Sequence, residues 1–137
     1  MGKGKAMSAA QHVTDSLNKI AELDLDLTQT IYQQYFTRCP AASELMHYSD
    51  PHMRGRMLEQ TFGLIMDPSL QGEDQYFRWE VGNHLMGYGV SKDMYADYLE
   101  SIRDCVKGAL REAWQPQHES GWQLRIQSLL DELALLN

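Results

Sequence analysis

Leu27-Thr28-Gln29-Thr30-Ile31-Tyr32-Gln33-Gln34-Tyr35-Phe36-Thr37-Arg38-Cys39-Pro40 is the stretch whose reading decides the fold class. Leu27, Ile31 and the pair Tyr35/Phe36 recur every three to four residues, the period of one face of a helix. Asp24 or Asp26, just ahead, can accept from the free backbone N–H groups of the first turn. Proline has no N–H to continue the ladder, so the helix is expected to end near Cys39-Pro40.

The same punctuation repeats on both sides. Pro51 suits a first helical turn, and Met57, Leu58, Thr61, Phe62, Ile65 and Met66 then form one apolar stripe closed by Asp67-Pro68. Gly72 to Met86 reads as a shorter helix carrying Phe77, Val81 and Leu85, with His84 in its last turn and the breaker Gly87-Tyr88-Gly89 behind it. Ser91 or Asp93 starts a long helix with the stripe Met94, Tyr98, Ile102, Cys105/Val106 and Leu110. Pro116 stops it, and Ser120 is expected to cap a last helix bearing Trp122, Ile126, Leu129/Leu130 and Leu133. Ser8 to Ala21, with Val13, Leu17 and Ile20, forms a weaker opening helix. No segment alternates polar and apolar residues in the manner of a strand, and the four prolines all fall between periodic stretches. The expected fold class is all-α, as one domain over 8–137, with 1–7 disordered or tag-like.

A chain of 137 residues with 43% hydrophobic and 23% charged residues buries enough surface to fold without a covalent staple. The formal charge is −7, and the sole basic cluster is Lys3/Lys5, which argues against a nucleic-acid partner. No apolar run approaches the length that crosses a bilayer, and the N-terminus has no apolar core of a signal peptide, so a cytoplasmic protein without a membrane partner is expected. Met1-Gly2-Lys3-Gly4-Lys5-Ala6 departs from a myristoylation start at Ala6. Cys39 and Cys105 read as structural thiols, and CxxC, HExxH, GxGxxG and GxxxxGK[ST] motifs are all absent.

Of His12, His47, His52, His84 and His118, the one that stands out is His84, because glycines and then a long aromatic-faced helix follow it. His84-Leu85-Met86-Gly87-Tyr88-Gly89-Val90, with Tyr95 and Leu99 beyond, resembles the proximal-histidine segment of bacterial globins. Leu27 to Pro40 is similar to the second helix of flavohaemoglobin-type and single-domain bacterial globins, in which a tyrosine at the place of Tyr32 points into the distal pocket. Arg54-Gly55-Arg56-Met57-Leu58-Glu59-Gln60-Thr61-Phe62-Gly63 resembles the distal helix, and Trp122 with the Leu-rich tail resembles the last one. The match runs from about Val13 onward.

The resemblance implies a globin-like fold of six to eight helices that holds haem b, with His84 as the iron ligand. The sixth iron position would then be open to a diatomic gas: oxygen, or NO or CO. Tyr32 is the expected donor to the bound gas. Phe36, Met46, Arg54, Leu58, Val90, Met94 and Tyr98 are the expected cofactor contacts. Met46 stands where globins usually carry phenylalanine. Arg54 falls on the distal position and would also stabilise the ligand, although a one-residue shift puts Met53 there; an arginine's default is to point to solvent. Glu80, one turn before His84, would either accept from the outer imidazole nitrogen or lie solvated. His47 and His52 fall near the haem edge, and His12 and His118 are expected to be solvated. Reversible gas binding is the leading expectation. A globin-fold sensor or interaction module without haem is the alternative. Nitric oxide dioxygenation or a peroxidase-like reaction would need a separate reductase, and a homodimer is compatible with all of these readings.

Overall fold

A computed structural model describes residues 8–67 and 91–134. Six α-helices are found among the described residues: α1 Ala9–Glu22, α2 Thr28–Arg38, α3 Pro40–Leu45, α4 Pro51–Met66, α5 Lys92–Leu110 and α6 Pro116–Ala134. A 3₁₀ turn, Arg111–Ala113, joins α5 to α6, and no strand occurs among these residues. The fold class is all-α, consistent with the globin-like arrangement expected. No helix among the described residues is long and apolar enough to cross a membrane. The expected helix Gly72 to Met86, with Glu80 and His84, lies outside the described residues, as does Val90.

Local chemistry explains most helix ends. Ser8 and Gln11 form a reciprocal capping box: Ser8 Oγ accepts from the Gln11 N–H at 3.2 Å, and Gln11 Oε1 accepts from the Ser8 N–H at 2.6 Å. Of the two acids ahead of α2, Asp26 is the one whose Oδ1 accepts from the Thr28 N–H, at 2.9 Å. Asp24 instead turns the chain at a φ of 56°, a conformation that aspartate tolerates better than most residues. Asp50 caps α4 ahead of Pro51, and Ser91 caps α5.

The expected cap of the last helix is corrected. Ser120 lies inside α6, which starts at Pro116. His118, the third helical residue, accepts at Nδ1 from the Gln115 N–H at 2.9 Å, the place that glutamate or glutamine takes in a capping box. His118 is therefore not solvated: its residue is 1% exposed, and Nε2 meets Asp15 Oδ2 at 2.7 Å. Because Nδ1 accepts, the proton of the neutral ring sits on Nε2 and is donated to Asp15.

The helices meet in one main core. Val13 and Ile20 from α1, Ile31 from α2, Leu58 and Ile65 from α4, Ile102 and Val106 from α5, and Trp122 and Ile126 from α6 belong to it. At the α1–α6 crossing, a Cβ on Gly121 would lie 2.8 Å from His12 Cβ and 3.0 Å from the Ala9 carbonyl oxygen. Only a glycine lets the two backbones approach so closely. Beside it the Trp122 indole donates to Ser16 Oγ at 2.8 Å, and Ser16 donates to the Val13 carbonyl at 2.7 Å. Cys39 and Cys105 are free thiols, and the buried Cys105 donates to Gln34 Oε1 at 2.9 Å, tying α5 to α2.

Arg125 of α6 is 7% exposed and reaches the end of α4. Its Nε donates to the Ile65 carbonyl at 2.8 Å, and one Nη donates to the carbonyls of Leu64 and Asp67, each at 3.0 Å. The last carbonyls of a helix have no partner within it and carry the negative end of its dipole, so a cation suits them. Burial lowers the pKa of Arg125 while the Asp67 charge opposes that shift.

Candidate functional site

Residues of one face of α2 build the candidate site. Tyr32 and Tyr35 are buried, and Phe36 packs against them from the same helix. Tyr98 comes from α5 and Met46 from the turn after α3, and both pack on this aromatic cluster. Ring centroids of Tyr35 and Tyr98 are 5.0 Å apart, and those of Tyr32 and Tyr98, and of Tyr32 and Phe36, are each 5.7 Å apart. Such tilted arrangements suit the quadrupoles of aromatic rings and fix their orientation.

Polar groups in this wall are few and placed. The Tyr32 residue is 2% exposed, and its hydroxyl lies 3.0 Å from the Tyr98 hydroxyl and 3.3 Å from the Arg54 carbonyl. Burial pushes the pKa of Tyr32, Tyr35 and Tyr98 up from 10.0, so all three keep their protons at neutral pH. The wall thus presents neutral O–H donors in apolar surroundings.

Arg54 departs from the solvated default. Its Nε donates to Ser49 Oγ at 2.8 Å, an Nη reaches the Met46 carbonyl at 3.5 Å, and the guanidinium lies 4.9 Å from the Phe36 centroid and 5.7 Å from that of Tyr32. It is a cation laid over the aromatic wall. Leu58, one turn further along α4, is buried in the main core. A cleft of about 1120 Å³ runs beside the wall between α1, α2 and α4, and Tyr32, Phe36, Arg54 and Leu58 line part of it.

The structure therefore brings together Tyr32, Phe36, Met46, Arg54 and Tyr98, with Leu58 adjoining. Met94 is half-buried one turn before Tyr98 on α5. His84, Glu80 and Val90 lie outside the described residues. His47 is exposed and pairs its Nδ1 with the Glu44 carbonyl at 2.7 Å, and His52 is exposed at the lip of the cleft. Tyr35 and the pairing of the two hydroxyls were not legible as site features; the four-residue step from Ile31 to Tyr35 signals only a buried face. Among the described residues no group of three or more His, Cys, Asp or Glu side chains is placed to hold a metal ion.

Comparison of the chain with protein-family models gives no match, and comparison with curated proteins gives none either.

Proposed function

We propose that this chain is a haem-binding globin in which His84 ligates the iron of haem b and Tyr32 donates a hydrogen bond to a diatomic gas. One observation carries the reading: the tyrosine singled out by the resemblance is buried, protonated, and held in an aromatic wall formed by α2 and α5 beneath Arg54. The donor set fits the group. Phe36, Met46 and Leu58 supply apolar contact for a macrocycle, and Tyr32 supplies a neutral hydroxyl for a ligand with partial negative charge. Bound haem would supply an iron with one position open to oxygen, NO or CO.

The residues then divide the work. Tyr32 stabilises the bound gas, and the low dielectric of the wall makes its hydrogen bond stronger than in water. Arg54 adds positive potential on the same side, screened by the Phe36 and Tyr32 rings. Free thiols are compatible with a reducing, cytoplasmic setting. Any dioxygenase or peroxidase-like turnover would draw electrons from a separate reductase.

The test is the Soret band of the purified chain after addition of haem. A band in the wild-type protein that is lost in His84→Ala is expected, and an identical spectrum in that variant would refute the assignment of the ligand. One observation favours a second reading, a globin-fold interaction module without haem: Tyr32 already has two polar partners inside the protein. A folded chain that takes up no haem would favour it.

A further inference from the structure

We infer that Tyr98 is the positioning residue that holds and polarises the Tyr32 hydroxyl. This rests on reading Tyr32 as the donor to the gas ligand. The argument starts from proton counting, since each tyrosine has one proton to give and can still accept. The Arg54 carbonyl can only accept, so its contact with Tyr32 at 3.3 Å uses the single Tyr32 proton. The contact at 3.0 Å between the two hydroxyls is then filled by the Tyr98 proton, donated to the Tyr32 oxygen.

Thr61 of α4 lies near the Tyr98 hydroxyl and gives its own proton to the Met57 carbonyl at 2.9 Å. Were Tyr98 to donate to Thr61 instead, Tyr32 would donate to Tyr98 and the Arg54 contact would no longer be a hydrogen bond. Only donation from Tyr98 to Tyr32 makes both Tyr32 contacts hydrogen bonds.

In that arrangement the weak link is the outermost one. An O–H···O bond of 3.3 Å is long against the usual 2.7–2.8 Å, so a better acceptor in front of Tyr32 displaces the carbonyl. Accepting from Tyr98 also makes Tyr32 a stronger donor, because hydrogen bonds in a chain polarise one another. Tyr98 therefore acts on the ligand through Tyr32.

The test uses Tyr32→Phe, Tyr98→Phe and the double variant of the full chain, each keeping its ring. In cofactor-free protein, urea unfolding should show coupling: the midpoint drop in the double variant is smaller than the summed drops of the singles. In ferrous haem protein, Tyr98→Phe should speed oxygen dissociation about threefold to tenfold, the effect of one neutral hydrogen bond. In the Tyr32→Phe background the same change should alter the rate less than about twofold. Additive midpoint drops, a slower or unchanged rate in Tyr98→Phe, or an equal effect in both backgrounds would overturn the inference. Failure of the wild-type chain to take up haem would overturn the proposed function alone, and the cofactor-free cycle would still decide whether Tyr98 holds Tyr32.

Discussion

Replacing Arg125 by methionine keeps most of the side chain's volume and apolar stem but removes every donor. The carbonyls of Leu64, Ile65 and Asp67 then lose contacts of 3.0, 2.8 and 3.0 Å. Among the described residues the Leu64 carbonyl then retains a long bond from the Asp67 N–H, at 3.4 Å. A buried acceptor left without a partner costs about 1–3 kcal/mol, and a cation at a helix C-terminus contributes about 0.3–1 kcal/mol more. Against this stands the relief of no longer desolvating a guanidinium, which the lowered pKa of Arg125 reports. Of the three bonds only that to the Ile65 carbonyl is fully buried, so the balance is a loss of about 1–3 kcal/mol, a large part of the stability of a domain this size. Arg125→Lys keeps the charge but not the planar fork, and should lose about half as much. Urea unfolding at neutral pH, with the slope unchanged, measures both. A loss under about 1 kcal/mol in the methionine variant would refute the reasoning, because it would mean that the end of α4 needs no buried cation.

Gly121→Ala should destabilise the protein by about 1–3 kcal/mol in thermal unfolding, since its Cβ has nowhere to go between α1 and α6. Gly108→Ala, also helical but with nothing within 4 Å of the new Cβ, should instead stabilise it by about 0.5–1 kcal/mol. Ser16→Ala leaves the buried Trp122 indole N–H without its acceptor and should cost about 1–3 kcal/mol in the same assay. The His118 hydrogen bond holds the Asp15 carboxyl below its ordinary 3.8. A depressed acid contributes stability above its unfolded pKa and loses it as pH falls through the folded one. Stability should therefore drop as pH falls below about 4, and Asp15→Asn should be flatter there; an equally steep acid limb in that variant would remove the pair from the account.

Helix spans were readable because they depend on neighbours in sequence. Pro40, Pro51, Asp67 and Ser91 mark helix ends in the structure, whereas Pro116, expected to stop α5, instead opens α6 after α5 has ended at Leu110; the stripes of α4, α5 and α6 contain Leu58, Ile65, Ile102, Val106, Trp122 and Ile126 in the core. Reading failed where a side chain's role is set by a distant partner. His118 looked like a loop residue because its value comes from Asp15, 103 positions away. Ser120 looked like a cap because serine favours that place, whereas the helix already starts at Pro116, with the Gln115 N–H satisfied by His118 in its first turn. Arg54 was expected either at the ligand or in solvent, and its aromatic platform was not legible because Phe36 and Tyr32 belong to another helix.

What the sequence determined by itself is the helical class, the helix ends and the choice of Tyr32 as the residue to examine. Period and breaker residues act over a few positions and survive any packing. Only the tertiary structure decided that the Tyr32 hydroxyl meets Tyr98, 66 positions on, and that Arg125 closes α4 from 60 positions away. Those pairings follow from where the helices cross. The crossings are set by close approach at Gly121 and by the shared core, and no local spacing encodes them.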